Sequence, residues 1–179
     1  MKKICFLFTV SAVLILICGF RNPSADVTDG VYFIVNVETG EALNPVDAGV
    51  NSNVRLKDFK KGGMQKWTLK KRTTTGKNGR QIITYTIKHT SSGFFLRPYH
   101  IPDNGGAIIS TTDSYGSFTI EADEENYIIK NIKMGGDALY VKNGGALPDE
   151  PWFGPDDNTD GYRWQLIPEN GAPQESPEQ

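Results

Sequence analysis

The chain is short of the residues that carry most covalent and metal chemistry. Of its 179 residues only two are cysteines, Cys5 and Cys18, and only two are histidines, His89 and His100. Both cysteines sit inside an N-terminal segment that reads as a leader, so the exported chain is expected to have no disulfide framework and no thiol nucleophile. The histidines lack paired ligand spacing, which argues against zinc. A Gly-x-Ser-x-Gly elbow and a phosphate-binding glycine loop are both missing, and with them the simplest signatures of acyl or phosphoryl transfer. Asp156-Asp157-Asn158-Thr159-Asp160-Gly161 opens like a calcium-binding EF-hand loop, but the position that needs a bidentate glutamate is Ile167. These absences predict a protein that is not an enzyme and has no cofactor and no metal.

Sustained helical periodicity is missing too. No stretch repeats apolar residues at i, i+3, i+4 and i+7 between caps, and 19 glycines and 10 prolines interrupt the chain. The expectation is an all-β protein. One long apolar run does exist, from Ile4 to Ile17 behind Lys2 and Lys3, and then gives way to small and polar residues. That pattern reads as a signal peptide over 1–25, cleaved after Gly19 or Ala25, and predicts secretion. Nothing later is apolar enough to anchor the chain, so no stable membrane insertion is expected. Residues 26–168 are then long enough for one domain with a real core. Residues 169–179 are rich in Pro, Glu and Gln, which predicts disorder.

What the sequence does have is repetition. Tyr32, Tyr85 and Tyr127 each open a strand-like run; a polar residue follows four positions later (Asn36, His89, Asn131) and a glycine eight positions later (Gly40, Gly93, Gly135). Glycine accepts positive φ without steric cost and Asn hydrogen-bonds its local backbone, so each spacing reads as a hairpin connection. Leu43, Leu96 and Leu139 then begin the return strands. Each repeat ends on an aromatic residue with an aliphatic partner two positions on: Trp67 with Leu69, Phe118 with Ile120, Trp164 with Leu166. Alternate residues of a strand share a face. From tyrosine to closing aromatic the spacing is 35, 33 and 37 residues. That leaves no room for a βαβ unit and fits four short strands per repeat.

Twelve short strands in three repeats resemble the β-trefoil, a six-stranded barrel capped by hairpins around a pseudo-threefold axis. The first repeat, Asp29-Gly30-Val31-Tyr32-Phe33-Ile34-Val35-Asn36 onward to Leu43 with the Gln65-Lys66-Trp67 motif, resembles ricin-B-type modules. The resemblance implies a sugar site in which Asn44 stands where such lectins place Asp, with Gln65 and Trp67 as its other candidates. A structural role for Gln-x-Trp, with the indole in the core and the amide tying down a turn, stands beside that reading. The later half resembles the β-trefoil protease inhibitors of fungi. The matching segments are Gly116-Ser117-Phe118-Thr119-Ile120-Glu121-Ala122, Asn126-Tyr127-Ile128-Ile129-Lys130-Asn131 and Trp164-Gln165-Leu166-Ile167. That resemblance implies a rigid barrel displaying a loop to an extracellular serine or cysteine protease.

For a trypsin-like target the loop must offer Lys or Arg in an extended, accessible segment. Lys142 with Asn143 comes first, then Lys60-Lys61 ahead of Gly62-Gly63, with Arg97 behind because Pro98 follows it. The two functional expectations are therefore protease inhibition and, as the alternative, glycan binding. Charge adds a further feature. Between Arg55 and Lys88 there are eleven Lys or Arg and one acid, whereas from Asp113 to Glu169 there are twelve acids and four bases. A basic side and an acidic side are expected; nucleic acid is not expected as a partner, and sulfated glycans stay open.

Overall fold

The computed structural model describes residues 27–75, 78–99, 106–114, 116–141 and 150–171. The segment 1–25 expected to be a signal peptide, His100, Lys142 and Asn143 lie outside the described residues. Twelve strands form: β1 (Gly30–Asn36), β2 (Glu41–Pro45), β3 (Val54–Asp58), β4 (Lys66–Thr75), β5 (Gln81–His89), β6 (Phe95–Pro98), β7 (Ala107–Ser110), β8 (Phe118–Asp123), β9 (Asn126–Asn131), β10 (Ala138–Val141), β11 (Pro151–Gly154) and β12 (Trp164–Pro168). Six of them close on themselves by antiparallel pairing in the order β1, β4, β5, β8, β9, β12 and back to β1. Closure removes the free edges that an open sheet would expose. The other six form three hairpins, β2–β3, β6–β7 and β10–β11. Bridges from Asn53 to Ile108 and from Gly106 to Trp152 tie these hairpins into one cap. The fold is a β-trefoil with four strands per repeat.

The threefold signature of the sequence has a common structural cause. Asn36, His89 and Asn131 end their strands as buried side chains. Asn36 Oδ1 accepts from the backbone N–H of Glu38 and Thr39, and Asn131 Oδ1 from those of Lys133 and Met134. His89 Nδ1 faces Ser92, whose hydroxyl lies at 2.8 Å. Gly40, Gly93 and Gly135 adopt φ of 69°, 72° and 73°, the left-handed region that glycine enters freely.

The core is filled where the repeats converge. Trp67, Phe118 and Trp164 have no exposed surface and pack with Leu43, Leu96, Leu139, Leu69, Ile120 and Leu166. Each indole N–H donates to a main-chain carbonyl, Trp67 to Leu43 at 3.1 Å and Trp164 to Leu139 at 2.8 Å. A buried indole N–H needs such a partner, and the fold supplies it from the return strand of the same repeat.

Two features depart from the expected plan. The β4 and β5 strands are not short: they pair from Trp67–His89 out to Thr75–Gln81, so the second repeat starts its strand four residues before Tyr85. The β-branched run Thr73-Thr74-Thr75 faces Ile83, Ile82 and Gln81 across the ladder, and such side chains favour extended pairing. At the other end, order continues past Pro168. The Glu169 N–H donates to Val31 O at 2.9 Å and its carboxylate is paired with Lys66.

Candidate functional site

The residue types singled out in the first repeat take up different places. Gln65 closes a 3-10 turn, Gly63–Gln65, and is buried. Its Oε1 accepts from the N–H of Lys60 at 3.0 Å and of Gly62 at 3.4 Å, and its Nε2 donates to Asp58 O at 2.8 Å. Both ends of the amide are thus committed to the segment Asp58–Gly62, which passes from β3 to the turn. Trp67 lies beneath this turn in the core, with its ring 5.4 Å from that of His89. With no exposed surface it offers no face to a sugar, so the sugar-platform expectation for Trp67 gives way to the structural role. Asn44 is half-buried on β2, paired in register with Arg55, and its Nδ2 donates to Pro45 O at 2.6 Å.

These parts enclose an open depression of about 440 Å³ between β2, β3 and the loop that Gln65 holds. Its polar wall is Glu41, Asn44, Lys57, Asp58, Lys60 and Gln65, and Leu56 and Gly62 complete the lining. The core-packed β2–β3 hairpin, anchored by Leu43 and Leu56, forms one side of it, and the hydrogen bonds of Gln65 to the Asp58–Gly62 backbone hold the other. Lys60 Nζ stands 3.2 Å from Asp58 Oδ2, both side chains about three-quarters exposed (75% and 76%). At such exposure water screens the pair, so either group is available to a ligand at small cost. Sequence reasoning reached Asn44, Gln65 and Lys60 but missed Glu41, Lys57 and Asp58. The available signal was the β2–β3 hairpin itself, whose register sets Glu41 opposite Asp58.

The protease-loop candidates fare differently. Lys61 has φ of 53°, a left-handed conformation rather than the extended one an inserted inhibitory loop requires. Arg97 is a half-buried strand residue of β6 facing Ile108, and its Nε is buried without a hydrogen-bond partner among the described residues. It does not sit in a protruding loop. Lys142 and Asn143 fall outside the described residues.

The equivalent place in the third repeat is filled. Tyr140 follows Leu139 as Asn44 follows Leu43, and Tyr162 precedes Trp164 as Gln65 precedes Trp67. Their rings stack at 4.6 Å with an interplanar angle of 11°. Tyr140 also lies so close to Gly154 that a Cβ there would come within 3.0 Å of its ring. Burial, aided by the charges of Asp157, Asp156 and Asp137 and by Tyr140, pushes the Tyr162 phenol up to about 12. Arg163 beside it is buried and paired with Asp123 and with Asp156, the latter at 3.2 Å. Among the described residues no group of three or more His, Cys, Asp or Glu is placed to hold a metal ion.

No family model matches this sequence, and no curated protein matches it either. Solved structures do. The Rhizoctonia solani agglutinin superposes with a TM-score of 0.65 at 23% identity, covering 80% of this chain and 98% of that one. ThreeFoil, a designed threefold-symmetric protein, gives 0.62 at 20% identity over 77% and 98% of the two chains. An exo-β-1,3-galactanase from Clostridium thermocellum gives 0.64 at 18% identity, over 78% of this chain and 30% of its own. At these identities the likeness establishes the β-trefoil fold. The similarity to fungal protease inhibitors rests on the short sequence motifs alone.

Proposed function

We propose that this is an exported carbohydrate-binding protein, without catalytic activity, that takes the end of a glycan into the first-repeat depression. The observation that carries the reading is the depression's composition. Carboxylates of Glu41 and Asp58, ammonium groups of Lys57 and Lys60, and the Asn44 amide converge on one hollow of about 440 Å³. Vicinal sugar hydroxyls both donate and accept, and a wall that mixes acceptors with donors matches them. The volume falls within the range of small-ligand sites, roughly 300–1,000 Å³. The wall has no aromatic face, so hydrogen bonds to charged groups carry the affinity, and binding is modest per site. The agglutinin among the structural neighbours supports this reading at the level of fold. Protease inhibition through Lys60-Lys61 has less support, because Lys61 is turned out of the extended conformation.

A glycan array run beside a serine and cysteine protease panel tests the proposal. The parent should bind a defined glycan end, and Glu41→Gln or Asn44→Ala should weaken that binding about tenfold, the loss of one hydrogen bond to a charged or polar group. The melting temperature should stay unchanged, since neither side chain is in the core. Inhibition of a protease with no glycan bound would replace this reading.

A further inference from the structure

The β4–β5 ribbon carries a second, separate surface. From Arg72 outward the two strands pair only with each other: β1 accompanies β4 as far as Leu69, and β8 meets β5 at Tyr85, opposite Lys71. Alternation splits the ribbon into two faces. Leu69 with Ile87 and Lys71 with Tyr85 lie on the face that runs into the core, so Lys70 and Arg72 project from the other, along with Lys88 on β5. Arg80 extends the row at the turn, exposed like Lys70 and Arg72. No acid occurs in the sequence between Asp58 and Asp103. Arg72 meets Asp113 at 3.0 Å with both side chains near half exposure (52% and 40%). Lys70, Lys88 and Arg80 make no ion pair among the described residues.

Like charges aligned along a strand repel one another, and among the described residues Asp113 is the one carboxylate paired with these four cations, while Asp29 accepts from the Lys71 backbone N–H. A partner with regularly spaced negative charge removes that repulsion and releases counterions as it binds. We propose that this ribbon face docks a sulfated polysaccharide. Sulfate esters stay ionised at every physiological pH and accept charge-assisted hydrogen bonds from Lys and Arg. Thr74, exposed on the same face, offers a hydroxyl to sugar oxygens. The exposed ribbon has no aromatic ring on which bases would stack, which disfavours single-stranded nucleic acid. The surface is distinct from the first-repeat depression and does not depend on it.

The test is binding to immobilised dextran sulfate, with unsulfated dextran and a DNA duplex beside it. The parent should bind dextran sulfate and ignore dextran, with affinity falling steeply between about 50 and 200 mM salt. A triple variant, Lys70→Thr, Arg72→Thr and Arg80→Thr, keeps strand-forming residues at exposed positions and should bind roughly tenfold more weakly with its melting temperature retained. Asn44→Ala should bind dextran sulfate like the parent. The proposal is overturned if the triple variant binds as the parent does, if parent binding is insensitive to salt, or if the DNA duplex binds as tightly as dextran sulfate.

Discussion

Trp67 and Trp164 occupy the same place in their repeats, each fully buried and each donating its indole N–H to the leucine carbonyl of the return strand. Two residues earlier the repeats part company. Gln65 turns its amide onto the backbone of Asp58, Lys60 and Gly62, which holds a loop back and leaves a hollow in front of Asn44. Tyr162 instead stacks on Tyr140 and fills the corresponding space with protein. The core position is bound to one solution because the barrel must close around it. The position two residues before it is buried too, but outside the main core, where Gln65 meets loop backbone and Tyr162 meets Tyr140, and it is free to differ.

The largest effect should come from the shared part. Trp67→Ala and Trp164→Ala should each cost about 3–5 kcal/mol in denaturant unfolding, as loss of a buried large aromatic does. If Trp67→Ala folded normally and lost only ligand binding, the two repeats would differ in their cores as well, and the comparison would break. Gln65→Ala should cost less, about 1–3 kcal/mol, because three backbone groups lose partners while water reaches part of the loop. It should also abolish the proposed glycan binding while leaving Glu41, Asn44, Lys57, Asp58 and Lys60 unaltered, which calorimetric titration of the folded variant would show.

The core was legible in the sequence and the hollow was not, for one physical reason. Buried positions of the barrel recur three times over, apolar at Trp67, Phe118 and Trp164 and polar at Asn36, His89 and Asn131, so they stand out by spacing alone. A surface hollow is assembled from pieces distant in sequence, here Glu41, Lys57 and Lys60, with no period connecting them. Gln65 shows the limit well: its residue type points equally to a sugar contact and to a loop fastener, and only its hydrogen bonds decide. The ribbon was half legible, since its charge was plain but its length was hidden in Thr73-Thr74-Thr75, which reads as readily as loop.

A smaller effect separates the repeats at alkaline pH. The Tyr162 phenol, pushed up to about 12 by burial and then by Asp157, stays protonated in the fold above pH 10.0, where an unfolded tyrosine loses its proton. The unfolded state then binds fewer protons than the folded one, so stability falls as pH rises from about 10 to about 12. Tyr162→Phe should flatten that fall, measured by urea unfolding across the range. A variant with an unaltered slope would mean that the third-repeat stack does not hold the phenol neutral.

The second repeat sharpens the comparison with the smallest effect, because it replaces the buried asparagine of the other two by His89. Burial holds the His89 imidazole below its usual 6.5, and the nearby Met64 carbonyl opposes the shift without meeting Nε2 in a hydrogen bond. As pH falls below 6.5 the unfolded chain takes up a proton that the folded chain refuses, so stability present at neutral pH is lost on acidification. His89→Asn installs the group that Asn36 and Asn131 already use, an amide oxygen able to accept from the N–H groups of the following turn. It does not titrate. The variant loses some ring contact with Trp67, so its stability at pH 7 should drop slightly, while its stability between pH 7 and pH 5 should decline less than the parent's. Chemical unfolding at those two pH values reads both quantities, and an equal decline in parent and variant would show that His89 is already charged within the fold.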